Sequence, residues 1–219
     1  MFRTLALASA AALCAAPALA QTAWIAAPTA PEVAAAFPEK AKAAGIGGGV
    51  ELMCTAARGG GMTDCEVINE TPRGYGFGAA ARKLAEQKMR AAGVAKNDEV
   101  RVPVGFPAEL AKGPSYTVKT PVWTAVPTVG EIQAVVPKTE GGPNNARVTL
   151  VCEVQPGGSL TGCVVDREEP AGQGFGPAIL TLAPRFQVGP LSGEATPTVG
   201  AKVRVPVRFD LKPVAQAAR

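Results

Sequence analysis

The sequence predicts an α+β fold built from two tandem copies of one small unit. Three observations carry this. Trp24-Ile25-Ala26-Ala27-Pro28-Thr29 returns as Trp123-Thr124-Ala125-Val126-Pro127-Thr128, Cys54 and Cys65 return at the same spacing as Cys152 and Cys163, and Arg101-Val102-Pro103-Val104 returns as Arg204-Val205-Pro206-Val207. A period of about a hundred residues is too long for a solenoid repeat and suits a duplicated domain. Within each copy, helix-prone stretches alternate with strands of period two in the order α-β-β-α-β.

The 219-residue chain divides accordingly. Residues 1–20 read as a secretory signal, with Arg3 as the basic end, Leu5 to Ala16 as the apolar run and Ala18-Leu19-Ala20 as the cleavage site. A lipoprotein signal at Cys14 is disfavoured because Leu13 precedes it, and Pro17 argues against an uncleaved anchor. Residues 21–106 form the first unit, 107–122 a proline- and glycine-bearing linker with few apolar anchors, 123–212 the second unit and 213–219 a flexible tail. Export predicts a periplasmic protein with no membrane span once the signal is cut.

In the first unit Pro38 to Ala44 is helix-prone, and Gly45 is placed to stop it. The equivalent stretch, Pro137 to Pro143, contains Gly141-Gly142, so a helix there shrinks to a turn or two. The hairpin follows. Val148, Leu150, Cys152 and Val154 share one face of a strand. Each cysteine pair is symmetric about two glycines, Gly59-Gly60 or Gly157-Gly158. A two-residue glycine turn there sets the cysteines opposite each other, with Cα atoms about 4.5–5.5 Å apart. Cys14 leaves with the expected signal, and the four cysteines that remain, an even number in an exported chain, favour disulfides, Cys54–Cys65 and Cys152–Cys163. Each contributes roughly 3 kcal/mol by closing a short loop.

A second helix opens at Gly76-Phe77-Gly78, carries the stripe Ala81, Leu84, Ala85 and Met89, and ends at Gly93. Its counterpart begins at Gly174-Phe175-Gly176 and is cut short by Pro184. The last strands, Val100 to Phe106 and Val203 to Phe209, each hold a proline, which places them at a sheet edge or at a bulge.

Composition removes several functions. There is no histidine in the chain, so the commonest metal ligand and neutral-pH acid–base group is missing. The net charge of +4 gives no argument for nucleic acid. No cofactor, metal or catalytic residue is expected, and the chain is not read as an enzyme. Gly74-Tyr75-Gly76-Phe77-Gly78-Ala79 meets a relaxed dinucleotide pattern, but its better reading is an entry that lets Phe77 and Phe175 plug a core. Glu70 and Glu168 read as acceptors of local backbone hydrogen bonds, and Glu168-Glu169 is not a catalytic pair. Arg101 and Arg204 keep an edge soluble or meet an acidic partner. Trp24 and Trp123 read as lids on the two cores or as an exposed binding patch.

The order of these elements, with Glu-x-Pro-x-Gly-x-Gly-Phe-Gly after a cysteine hairpin and a Val-x-Val-Pro-Val-x-Phe-type last strand, resembles the TonB C-terminal domain in its cysteine-containing form. The resemblance covers two copies, at about 31–106 and 130–210. It implies a three-stranded antiparallel sheet with two helices in each copy. It also implies a partner, an extended peptide of an outer-membrane transporter or another periplasmic protein, which adds as a strand to the last strand. The partner-binding residues it points to are Arg101, Val102, Val104, Arg204, Val205, Val207 and Phe209. The family's Tyr-Pro appears here as Phe37-Pro38 and Val136-Pro137. Energy transducers of this family also carry a membrane-anchored helix with a coupling histidine and a long proline-rich spacer. Here about a dozen residues precede the first copy, too few to cross a periplasm at roughly 3.1 Å per residue. The sequence thus points to a binding module without its own motor coupling. Two alternatives stand beside it: a pseudo-dimer whose paired edges leave no peptide site, and a membrane-anchored transducer if the signal is retained.

Overall fold

The computed structural model describes residues 22–137 and 145–210. It is a mixed α+β structure. The expected signal, the glycine-bearing stretch after Pro137 and the C-terminal tail lie outside the described residues.

The first half runs β1 (Ala23–Ala26), α1 (Ala30–Ala35), α2 (Glu39–Ala44), β2 (Gly48–Ala56), β3 (Met62–Thr71), α3 (Phe77–Lys88), β4 (Arg90–Ala92) and β5 (Glu99–Phe106). The second runs β6 (Thr117–Val118), β7 (Trp123–Ala125), α4 (Val129–Ala134), β8 (Asn145–Val154), β9 (Leu160–Glu169), α5 (Phe175–Leu180), β10 (Gln187–Val188) and β11 (Lys202–Asp210). Two main sheets result, in the orders β3-β2-β5 and β6-β11-β8-β9. All main pairings are antiparallel except β6 with β11, which is parallel.

Alternation builds the cores. On β2, Val50, Leu52, Cys54 and Ala56 are buried while the residues between them are not. On β5, Val100, Val102, Val104 and Phe106 face the same way. Phe77 drops from the start of α3 onto this layer, with its ring 5.1 Å from Phe106 and 5.7 Å from Phe37. The second half repeats the contact, Phe175 lying 5.1 Å from Phe209. Gly76 and Gly174 adopt φ 90° and 83°, a turn that glycine makes without strain and that aims each phenylalanine inward. The Gly-Phe-Gly entries are therefore packing devices.

Both disulfides form as expected, Cys54–Cys65 and Cys152–Cys163, with Cα atoms 4.0 and 4.1 Å apart. The turn that brings them together is not the expected two-residue one. Ala57 N–H donates to Gly61 O and Gln155 N–H to Ser159 O, so three residues form each loop. The register then shifts by one residue just before the second cysteine. The bulged residues, Asp64 and Gly162, have φ 49° and 58°. The extra residue in the strand offsets the extra residue in the turn, and the cysteines meet.

Five short strands lie outside the expected set, and four of them pair among themselves. β1 pairs with β4, and β7 with β10. The helix expected to run to Gly93 ends at Lys88, because Arg90 to Ala92 leave it to pair with β1. β4 and β10 also seat against the hairpin tips. A Cβ at Gly60 would lie 2.0 Å from Ala91 O, and one at Gly158 would lie 2.0 Å from Val188 O. Trp24 and Trp123 sit on β1 and β7, packed against the two cores, with the Trp123 ring 5.7 Å from Phe186.

The second sheet has four strands rather than three because the expected linker supplies β6. Leu110, Tyr116 and Val118 are buried in the first core, together with Leu191 and Ala201 from the second half. Residues 107–122 thus carry more apolar anchors than their proline and glycine content suggested. The halves also share backbone hydrogen bonds, Ala30 N–H to Val199 O at 2.8 Å and Gly105 N–H to Ala195 O at 2.9 Å.

Candidate partner-binding edge

β5 and β11 each have one side paired along its length, to β2 and to β8. Backbone groups alternate between the two sides of an antiparallel strand. Lys202 N–H donates outward to Tyr116 O at 2.9 Å. Arg204, Pro206 and Arg208 therefore point their backbones outward as well, while Val203, Val205, Val207 and Phe209 bond inward to β8. In β5 the outward donor Gly105 sets the same phase for Arg101 and Pro103. Both prolines thus occupy outward positions, where a missing N–H breaks no bond to the neighbouring strand. Neither is at a bulge, since both strands keep unbroken register against their partners.

The seven expected contact residues separate into two groups. Val102, Val104, Val205, Val207 and Phe209 have buried side chains that build the cores. Arg101 and Arg204 are exposed on the opposite face of their sheets. Arg101 reaches Glu51 at 3.1 Å and Arg204 reaches Asp166 at 3.3 Å, with side chains 67% and 62% exposed. Surface pairs of this kind contribute little stability and can exchange for another acid.

The two edges differ in what already covers them. On β5, Gly105 is engaged by Ala195 O, and Pro103 has no N–H, which leaves the Arg101 end. On β11, β6 covers only Lys202 and Val203. Past the end of β6 a groove of ≈ 870 Å³ runs beside the strand, bordered by Tyr116, Thr117, Lys119, Trp123, Arg204 and Pro206. Its lining combines residues of β11 with cations, one carboxylate (Glu109), an indole ring and prolines. Tyr116 fixes the floor. Its hydroxyl donates to Pro197 O, and burial pushes its pKa well above the ordinary range.

The remaining sequence candidates are structural. Glu168 accepts from Gln173 N–H at 3.2 Å and Phe175 N–H at 2.9 Å, so it holds the entry to α5 as expected. Glu70 faces the corresponding turn, but its Oε1 is buried without a hydrogen-bond partner among the described residues. Phe37 is buried between Phe77 and Phe106, and so offers no surface to a peptide. β6 and its anchors Tyr116 and Val118 were missed by sequence reasoning. Their signal was the alternation Ser115-Tyr116-Thr117-Val118, where β-prone residues interrupt a stretch read only for its breakers.

The architecture defines a disulfide-bonded α+β protein with free strand edges, and two disulfides fit an oxidising compartment. Among the described residues no helix is long and apolar enough to cross a membrane. No family model matches the chain, and no solved structure does. It is 31% identical over 98 residues to a protein of Caulobacter vibrioides (strain ATCC 19089 / CIP 103742 / CB 15) described as uncharacterized, a match covering 45% of this chain and 97% of that protein. The chain belongs to the same family as that Caulobacter protein. Since one match nearly exhausts the relative and less than half of this chain, the relative is about the size of one repeat.

Proposed function

We propose that the protein is an exported protein–protein interaction module of two TonB-C-terminal-like units, and that it receives an extended partner segment along the outward edge of β11. The observation that carries the reading is the groove beside Arg204 and Pro206, where β6 stops and the strand edge continues. An added strand would extend β6 along β11, with main-chain hydrogen bonds giving affinity and the groove walls selecting side chains. The first unit serves as a docked scaffold, because its own edge at β5 is engaged by the second half. The partner is an extended peptide of an outer-membrane transporter or of another periplasmic protein, and the site of action is the periplasm. The chain has no histidine with which to couple to a proton-driven motor.

The pseudo-dimer reading has one observation in its favour, the Gly105 N–H bond to Ala195 O across the halves. It requires β11 to be closed as well. Amide exchange in the free protein separates the two. Fast exchange at Arg204 and Arg208 supports an open edge, and protection there equal to that of Val205 and Val207 supports the closed pseudo-dimer.

A further inference from the structure

The two units do not pack on each other through equivalent surfaces. The first uses the segment around Ala27, Ala30 and Pro31. Ala30 is fully buried and Ala27 partly, against the first core that includes Ala201. Pro31 lies so close to Gly200 that a Cβ there would be 2.8 Å from its Cδ. The second unit answers with the turn Thr198–Ala201, just before β11. This is a head-to-tail contact, in which each side presents a different patch. Such contacts leave one unused half at each end.

Both unused halves can be located. The second unit repeats the donor segment as Val126, Val129 and Gly130, and here nothing buries it: Val126 is 58% and Val129 71% exposed. The first unit repeats the acceptor turn as Ala95–Asp98, which is also exposed. The two turns share a backbone. Asn97 N–H donates to Ala56 O and Gly200 N–H to Val154 O, both at 2.8 Å, and the two residues have φ 71° and 80°. The substitutions at the contact are complementary. Where the internal interface sets Pro31 against Gly200, the free halves set Gly130 against Asn97, so the bulk moves from one side to the other. Lys96 replaces Val199, and its four-carbon stem can lie over the valines while the ammonium stays in water.

We infer that the segment Val126–Gly130 is a docking surface for the Ala95–Asp98 turn of a second copy of this chain, repeating between molecules the contact already made within one. This interface is separate from the β11 edge and does not rest on the partner reading. The test is sedimentation of the disulfide-bonded protein at concentrations up to ~1 mM, where even a millimolar Kd populates the complex. The average mass is expected to rise with concentration. Val129→Asp removes the donor half and Asn97→Trp fills the acceptor half, so each variant alone is expected to stay monomeric. Both residues are exposed, and an unchanged far-ultraviolet circular dichroism spectrum and melting transition check that the fold is kept; Val126→Asp and Lys96→Asp serve as a second pair that adds no aromatic ring. Mixing the donor-blocked and acceptor-blocked variants is expected to restore association and to stop at two chains, since each supplies the half the other lacks. A wild-type protein that stays monomeric overturns the inference. So does an acceptor-blocked variant that still associates alone, because that outcome belongs to a valine patch meeting its own copy, and so does a mixture that fails to associate.

Discussion

At the scale of single residues, the glycines of the hairpin tips separate two constraints. Gly157 and Gly158 both have φ 83°, but only Gly158 has a neighbour, the Val188 carbonyl, where a side chain would begin. Gly157→Ala therefore costs about 1 kcal/mol from the left-handed backbone alone. Gly158→Ala also forces β10 off the hairpin, and its expected cost is larger, about 2–3 kcal/mol. Urea midpoints of the two variants test this, and equal losses would mean that β10 does not rest on that glycine. The turn glycines were conspicuous in the sequence, but their second role was not. Nothing local reveals that a carbonyl thirty residues away occupies the space a Cβ would fill.

At the scale of elements, the caps of α1 and α4 are alike and their settings differ. Thr29 and Thr128 each begin a capping box, with Glu32 and Glu131 reaching back to the cap. Burial raises the Glu32 pKa, but the Lys88 pair and the hydrogen bonds to Thr29 outweigh it and leave the carboxyl below its ordinary 4.5. Hydrogen bonds from Thr128, with Arg185 nearby, hold Glu131 below the same value. Both pKa values are depressed in the fold, so their contribution is present above about pH 4.5 and is lost as pH falls through the folded values. With no histidine, stability is expected to be flat from pH 6 to 8 and to decline only in acid. A fluorescence-monitored pH series would show it, and a step near neutrality would contradict it. Thr29→Ala is expected to cost about 1 kcal/mol of global stability, because α1 is wedged against the second half. Thr128→Ala should instead speed amide exchange within α4, which buries no residue of its own. Both boxes stand in the sequence as Thr-x-x-Glu, beside proline and glycine signals that are locally stronger. Serine replacement of Cys152 and Cys163 together should remove roughly 3 kcal/mol, a loss read from the urea midpoint.

At the scale of the whole molecule, the two halves repeat one order of main strands and helices, and their packing makes them unequal. The period-two strands, the paired cysteines and the Gly-Phe-Gly entries were legible because each is a local pattern repeated. The short strands β1, β4, β6, β7 and β10 were not, since two to four residues carry no period and are fixed by what they pack on. The candidate site was half legible. The sequence located the last strands and left their prolines at an edge or at a bulge, but only the fold removes the bulge and shows that five of the seven expected contacts are core residues. It also shows a groove of ≈ 870 Å³ beside Arg204 and Pro206 of β11, against a pocket of ≈ 320 Å³ at the Gly105–Phe106 end of β5. Strand addition at β11, as proposed above, is tested by amide chemical shifts of the ¹⁵N-labelled protein titrated with a transporter N-terminal peptide. Alternating changes are expected, with the outward amides of Arg204 and Arg208 gaining bonds and the inward amides of Val205 and Val207 shifting little. Uniformly unchanged amides along 204–209 would contradict it.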